Sequence, residues 1–442
     1  MSKSFPPEVH AARRQRLLER LGDDAVAVVA AGELTYRNRD VSFDFRPDGD
    51  FSYLTGFAEP GSVAVVTPLH PEHRFVLFVP PRDPVRERWD GPRAGVEGAV
   101  ERFAADAAFP LAEIAERLPA YLEGARRLVA PLGRRGDLDR ALIDWLAAFT
   151  PHPSRERPGP EQIVDAETVI GELRLVKGDE EIDRLRRSAA VAAAGHRAAW
   201  EIARPGVCEG RVAAEIEAVF LRQGARGVAF STIVASGPNA GVLHHTRNDR
   251  TIADGDLVLV DAGAEVDDYV SDLTRTFPAS GTFSPPQRRI YDLVLAARRS
   301  VLERVRPGTS WDELQATAVA TIVDGLIDLG LLVGPAADRI EDGTYKAFYP
   351  HSIGHWIGVE LRDAGRYRSG RGWRSLAPGM VFTVEPGVYV PAAAAVEEYR
   401  EIGVRIEDAV VVSADGWENL TADLPVAADE VERAIVAARQ GR

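Results

Sequence analysis

Four acidic side chains and one histidine in the C-terminal half lie in or beside strand-like runs, where their carboxylates and imidazole could gather around cations. Asp261 closes the branched apolar run Leu257-Val258-Leu259-Val260, and Asp272 lies inside a second β-favouring run, Tyr269-Val270-Ser271-Asp272-Leu273-Thr274-Arg275-Thr276. The intervening Glu265-Val266-Asp267-Asp268 reads as a turn, so the two runs form a hairpin. A turn symmetric about Val266 and Asp267 sets Asp261 directly opposite Asp272, with Cβ atoms roughly 4.5–5.5 Å apart. Like charges that close repel each other, and a metal pair about 3.5–4 Å apart is the size that fits between them.

The pattern recurs downstream. In Gly379-Met380-Val381-Phe382-Thr383-Val384-Glu385-Pro386-Gly387, as around Asp261, a Gly stands six residues before the acid, a Val just before it and a Gly two after. A later strand, Gly403-Val404-Arg405-Ile406-Glu407-Asp408, supplies Glu407 as the partner of Glu385. Two copies of one acid-bearing unit would place four carboxylates around a pseudo-twofold centre. His355 lies in His351-Ser352-Ile353-Gly354-His355-Trp356-Ile357-Gly358, where the glycines disfavour a helix, so a loop or strand carrying one ligand is expected. Four carboxylates and one imidazole form a hard, oxygen-rich set suited to Mn(II), with Co(II) or Zn(II) as further occupants. Charge points to two divalent ions, which would balance the four carboxylates and lower the pKa of a shared water from 15.7 toward about 7. The reaction class is hydrolysis, with an amide carbonyl as one possible electrophile.

These groups need a framework, and the 442 residues are enough for two domains or one large one. The net charge of −14 argues against a nucleic-acid partner held by phosphate contacts. Cys208 is the only cysteine, which excludes an intrachain disulfide and a cysteine-based zinc site and leaves it a packing role. The polar N-terminus, with Arg13, Arg14 and Arg16, does not read as a signal peptide, and no apolar run reaches the ~18 residues of a membrane span. A soluble, cytoplasmic protein is expected.

A helix over residues 8–21 precedes short apolar runs at 25–31, 62–67, 74–80 and 127–131, with helical stretches at 111–123 and 138–149. That alternation predicts an α/β layer domain, architectural in role, that caps or shapes a site elsewhere. Pro151-His152-Pro153-Ser154-Arg155-Glu156-Arg157-Pro158-Gly159-Pro160 reads as a linker, with His152 solvated. A helix of about twenty residues starts at Asp179 and carries His196 as a surface or packing residue; others are expected at 211–223, 286–304 and 311–329. Acid-bearing strands separated by amphipathic helices make the second half α+β, with helices on one face of a sheet.

Taken together, the residues resemble those of the pita-bread metallopeptidases, specifically the aminopeptidase P and prolidase branch that cleaves Xaa-Pro bonds. The likeness spans nearly the whole chain. Arg14-Gln15-Arg16, Asp50-Phe51-Ser52-Tyr53-Leu54-Thr55-Gly56-Phe57 and Glu172-Leu173-Arg174-Leu175-Val176-Lys177 resemble the creatinase-like N-terminal domain and its exit. Leu243-His244-His245-Thr246 and the five ligand positions fall in family order.

The resemblance implies a creatinase-like α/β domain over 1–172 and an α+β pita-bread catalytic domain with pseudo-twofold repeat over 173–442. Asp261, Asp272, His355, Glu385 and Glu407 would bind two metals, with Asp272 and Glu407 bridging. Glu385 would take a proton from the attacking water. His244 would act on the scissile carbonyl oxygen, His351 would contact the substrate, and Arg405 would pair with site carboxylates. His245 reads as family variation. The implied activity is hydrolysis of an N-terminal Xaa-Pro bond by a metal-bridged hydroxide, on a peptide with proline at its second position. Xaa-Pro dipeptidase is the alternative, and a non-catalytic module or a metal-free creatinase-like hydrolase is disfavoured by the intact ligand set.

One position departs from the pattern: the family's usual His-Asp-Val-Gly run is here Arg362-Asp363-Ala364-Gly365. Arginine is a permanent fork of donors and no base, so Arg362 would bind a substrate carboxylate, or else pair with Glu360 or Asp363. Trp89 resembles a tryptophan that reaches a neighbouring subunit's site in oligomeric relatives, so a homo-oligomer, dimer or tetramer, is expected.

Overall fold

The computed structural model describes residues 5–149 and 159–440, so residues 151–158 of the expected linker lie outside the described residues. The chain divides into two units, Ser4–Arg174 and Leu175–Arg442.

The first unit is built on a six-stranded sheet in the order Ala107–Pro110, Phe75–Val79, Val63–Val66, Ala25–Ala30, Arg127–Ala130, Gln162–Asp165. The Val63–Val66 strand runs antiparallel to both neighbours and the remaining pairings are parallel. Ala25, Ala27 and Val29 enter one hydrophobic cluster while Val26 and Val28 enter another. The sheet is therefore covered on both faces, which is why these runs are apolar at every position instead of alternating. The outer strands Ala107–Pro110 and Gln162–Asp165 were not anticipated, because neither is a continuous apolar run. Arg13 and Arg14 donate to the Tyr53 and Leu54 carbonyls at 3.2 and 2.9 Å, satisfying the open C-terminal end of the helix Gly49–Thr55. Asp50 on that helix makes a fully buried pair with Arg174 at 2.7 Å. Arg14, the helix within 50–57 and Arg174 thus serve structural roles within this unit.

In the second unit eight strands carry the argument: β1 (Leu257–Asp261), β2 (Ala264–Val266), β3 (Tyr269–Val270), β4 (Thr274–Pro278), β5 (Val381–Val384), β6 (Gly387–Tyr389), β7 (Gly403–Arg405) and β8 (Asp408–Val412). β1 lies between Ile233–Ser236 and β4, and β8 lies between β5 and Trp417–Asn419, so each acid-bearing half holds a three-stranded antiparallel sheet. Helices Asp179–Ile202, Glu209–Arg222, Pro285–Leu302, Trp311–Asp328 and Ala428–Gln440 share one core with these sheets, centred on Trp200, Phe277, Tyr291 and Trp356.

The hairpin register differs from the sequence expectation. Asp267 and Asp268 both adopt positive φ, 51° and 68°, and form a two-residue turn between Val266 and its partner Tyr269. Short aspartates tolerate the left-handed region, and such a turn follows the twist of the strands. Asp261 therefore opposes Thr274, and Asp272 is its diagonal neighbour, not its direct partner. A slip of two residues keeps side chains on the same face, so the two carboxylates still share one side of the hairpin. In the other half the expected pairing holds in register: Val384 opposes Asp408 and Gly387 opposes Arg405, which sets Glu385 across from Glu407.

Candidate metal centre

All five expected ligands line one cavity of about 240 Å³, together with His244 and Arg362. The two halves meet there backbone to backbone, where Glu407 N–H donates to the Thr274 carbonyl at 3.1 Å. His355 is on neither a helix nor a named strand. Its segment runs beside β5, where Thr383 N–H donates to the His355 carbonyl at 2.9 Å and Trp356 bridges to Phe382. Gly354 makes that approach possible, since a Cβ there would lie 1.8 Å from the Thr383 carbonyl oxygen.

His355 is held in the tautomer a ligand needs. Its Nδ1 lies 3.0 Å from the Trp356 carbonyl, which can only accept, so Nδ1 carries the hydrogen and Nε2 keeps its lone pair. That Nε2 stands 3.3 Å from Asp272 Oδ2 and 3.9 Å from Glu385 Oε1. One donor atom each from Asp272, His355 and Glu407 lies within 4.8 Å of the others.

Arg405 joins the acids to the substrate side. It donates to Asp261 Oδ2 at 2.6 Å, to Thr274 Oγ1 at 3.2 Å and to the Tyr389 hydroxyl at 2.9 Å. His351 Nδ1 lies 2.9 Å from the Ser352 carbonyl and donates to it, leaving Nε2 to accept from the Tyr389 hydroxyl, also at 2.9 Å. Thr274 Oγ1 donates to Glu407 Oε2 at 2.8 Å. Sequence reading missed Tyr389 and Thr274, although each stands close in sequence to a ligand: Tyr389 ends β6 four residues after Glu385, and Thr274 opens β4 two residues after Asp272.

Burial, with the neighbouring acids, pushes the Asp261, Glu385 and Glu407 carboxyls above the usual range. Burial also presses His351 down to about 4. His355 is also buried, which opposes its charged form, but the hydrogen bond to and charge of Asp272 raise it on balance. Oδ1 of Asp261, Oδ1 of Asp272 and Oε1 of Glu407 are buried with no hydrogen-bond partner. Hard oxygens left in that state match a divalent cation, and the donor set fits one.

His244 is exposed at the cavity wall beside Thr246. Arg362 is exposed there too and forms no ion pair among the described residues; Asp363, one expected partner, pairs with Lys177 at 2.8 Å. His196 is fully buried, which settles its packing role.

Residues 183–414 match metallopeptidase family M24, and residues 10–130 match the aminopeptidase P N-terminal domain. The chain belongs to metallopeptidase family M24. It is 39% identical over 430 residues to the Xaa-Pro aminopeptidase of Escherichia coli strain K12, covering 97% of both chains. The solved structure of Pseudomonas aeruginosa aminopeptidase PepP superposes with a TM-score of 0.95 at 42% identity over the whole of both chains. Escherichia coli aminopeptidase P, solved in zinc-substituted form with product, gives a TM-score of 0.93 at 38% identity, covering 99% of this chain and 100% of that one. The second unit is thus a pita-bread domain and the first an aminopeptidase P N-terminal domain.

Proposed function

We propose that this metallopeptidase removes the N-terminal residue of peptides whose second residue is proline. The observation that carries the reading is the set of partnerless oxygens on Asp261, Asp272 and Glu407, gathered with a correctly tautomerised His355 in a cavity that also receives His244. Its relatives of similar length, named Xaa-Pro aminopeptidases, support the substrate class. Two divalent ions, Mn(II) by ligand hardness with Co(II) or Zn(II) as alternatives, would be held by Asp261, Asp272, His355, Glu385 and Glu407 and would bring the pKa of water toward about 7.

The chain's own groups do the rest. Glu385, a carboxylate at the cavity wall, takes the proton of the attacking water and returns it to the departing proline nitrogen. His244 donates to the carbonyl oxygen as charge builds on it. His351, neutral near pH 7 because its pKa is pressed down to about 4, packs against the substrate and is oriented by Tyr389, which Arg405 orients in turn. The domains divide near residue 172, the first architectural and the second catalytic. Trp89, 83% exposed in the first unit, is an apolar surface that an oligomer would cover. No helix among the described residues is long and apolar enough to cross a membrane. A cytoplasmic location is part of the reading.

Apo-protein given Mn(II), Co(II) or Zn(II) should cleave Xaa-Pro peptides and spare Xaa-Ala peptides of matched length. Equal turnover of both series would overturn the assignment. Arg362 supports a second reading, an Xaa-Pro dipeptidase, because an unpaired guanidinium in the cavity suits a substrate carboxylate. The ratio of kcat/KM for an Xaa-Pro dipeptide to that for an Xaa-Pro-led pentapeptide should fall about tenfold in Arg362→His. An unmoved ratio leaves Arg362 without this role.

A further inference from the structure

The loop carrying His244 is gathered onto one carboxylate. Glu209, the first residue of the helix Glu209–Arg222, is fully buried. Its Oε1 accepts from Ser236 N–H and Ser236 Oγ, both at 2.7 Å, and from Asn239 Nδ2 at 3.0 Å. Its Oε2 accepts from the Arg250 N–H at 3.0 Å and stands 3.0 Å from His245 Nε2, which donates to it. These donors bracket residues 236–250, and His244 is the next residue to one of them. Glu209, His245 and Asp249 lie close enough to suggest a metal site. The chemistry argues against one. Five donors fill the two oxygens of Glu209, which offer about four lone-pair directions, and the exposed Asp249 is taken by Arg247 at 2.6 Å.

We propose that Glu209 and His245 are positioning residues that hold His244 at the cavity wall, facing the scissile carbonyl. The inference rests on the role given to His244 above. With the His245 ring buried on Glu209, the backbone next to it is fixed, and His244, its neighbour in the turn, stands exposed at the cavity wall. His245 is then a peg, which corrects its reading as mere variation.

A double-mutant cycle tests this with the metal-loaded protein and an Xaa-Pro peptide. His244→Ala should lower kcat about 10²–10³-fold. Glu209→Gln, which loosens the loop while keeping its volume, should lower kcat about 10- to 100-fold with KM and metal content little changed. In the His244→Ala background, Glu209→Gln should cost less than about twofold more. Full persistence of its effect in that background, or an unchanged kcat in the single variant, overturns the proposal. Should Glu209→Gln fail to fold, His245→Phe, which leaves the carboxylate and its other donors in place, enters the same cycle. The His244 side chain is also to be located by crystallography in the variant. A displaced or disordered ring supports the anchor even where no peptide is cleaved, a result that would count against the catalytic reading alone; an unmoved ring counts against the anchor.

Discussion

Glu407 is the side chain on which the centre's conflicting demands converge. Its raised pKa has burial as the main cause, followed by Asp272, Glu385 and Asp261, and one of its oxygens has no partner. Without metal that charge is a liability. Glu407→Gln keeps an acceptor for Thr274 and removes a carboxyl whose ionisation burial and three acidic neighbours oppose, so the apo-protein should melt higher than wild type. The same change should shrink the stabilisation that Mn(II) adds, which for wild type is about 2.7 kcal/mol per site at a hundredfold excess over Kd, and abolish hydrolysis. Thermal melts with and without Mn(II) test all of this, and a lower apo melting temperature would show that packing, not repulsion, governs the site. Arg405 and Arg362 contrast instructively: the former is buried and bonded to Asp261, Thr274 and Tyr389, the latter exposed and unpaired. Residue type alone could not separate an arginine that organises acids from one open to a ligand.

The strand units were readable because their signals are local. Asp261 and Glu385 each close a β-favouring run, and the glycine spacing around Asp261 recurs around Glu385. Register was harder, since it turned on which two residues would accept positive φ, and Glu265-Val266-Asp267-Asp268 offers more than one choice. The slip of two residues spared the site only because it preserved the face. Tyr389, Thr274 and Glu209 stayed hidden because their partners are distant in sequence and no local pattern joins them, 133 residues apart for Thr274 and Glu407. The turn makes its own prediction. Asp268→Gly should leave stability and activity near wild type, whereas Asp268→Val, a β-branched residue at φ 68°, should destabilise by about 1–2 kcal/mol in urea unfolding. Equal stability of the two variants would mean that the turn relaxes freely.

Across the whole molecule, acid acts through two opposed groups of side chains. Asp261, Glu385 and Glu407 have folded pKa values above their unfolded ones, so the metal-free fold holds protons that the unfolded chain releases; their cost appears as pH rises above about 4.5 and is relieved by acid. His196 behaves oppositely. Burial holds it down to about 3, so the unfolded chain binds its proton first, and stability falls as pH drops from about 6.5 toward 3. Metal removes the carboxylates from this balance. The loaded protein should therefore lose stability below pH 6.5 more steeply than the apo-protein, and His196→Phe should flatten that loss in both, as read by urea midpoints between pH 4.5 and 7.5.

The bond from Glu407 N–H to the Thr274 carbonyl has a temporal corollary. Because each half contributes acids and neither owns a full set, the complete ligand set exists only once the halves have met, so cations are expected to arrive at a scaffold already closed. A cell short of its metal would accumulate finished, silent protein, and supplying the ion should wake it within the time of diffusion into a cleft, without any need for the chain to unfold and begin again.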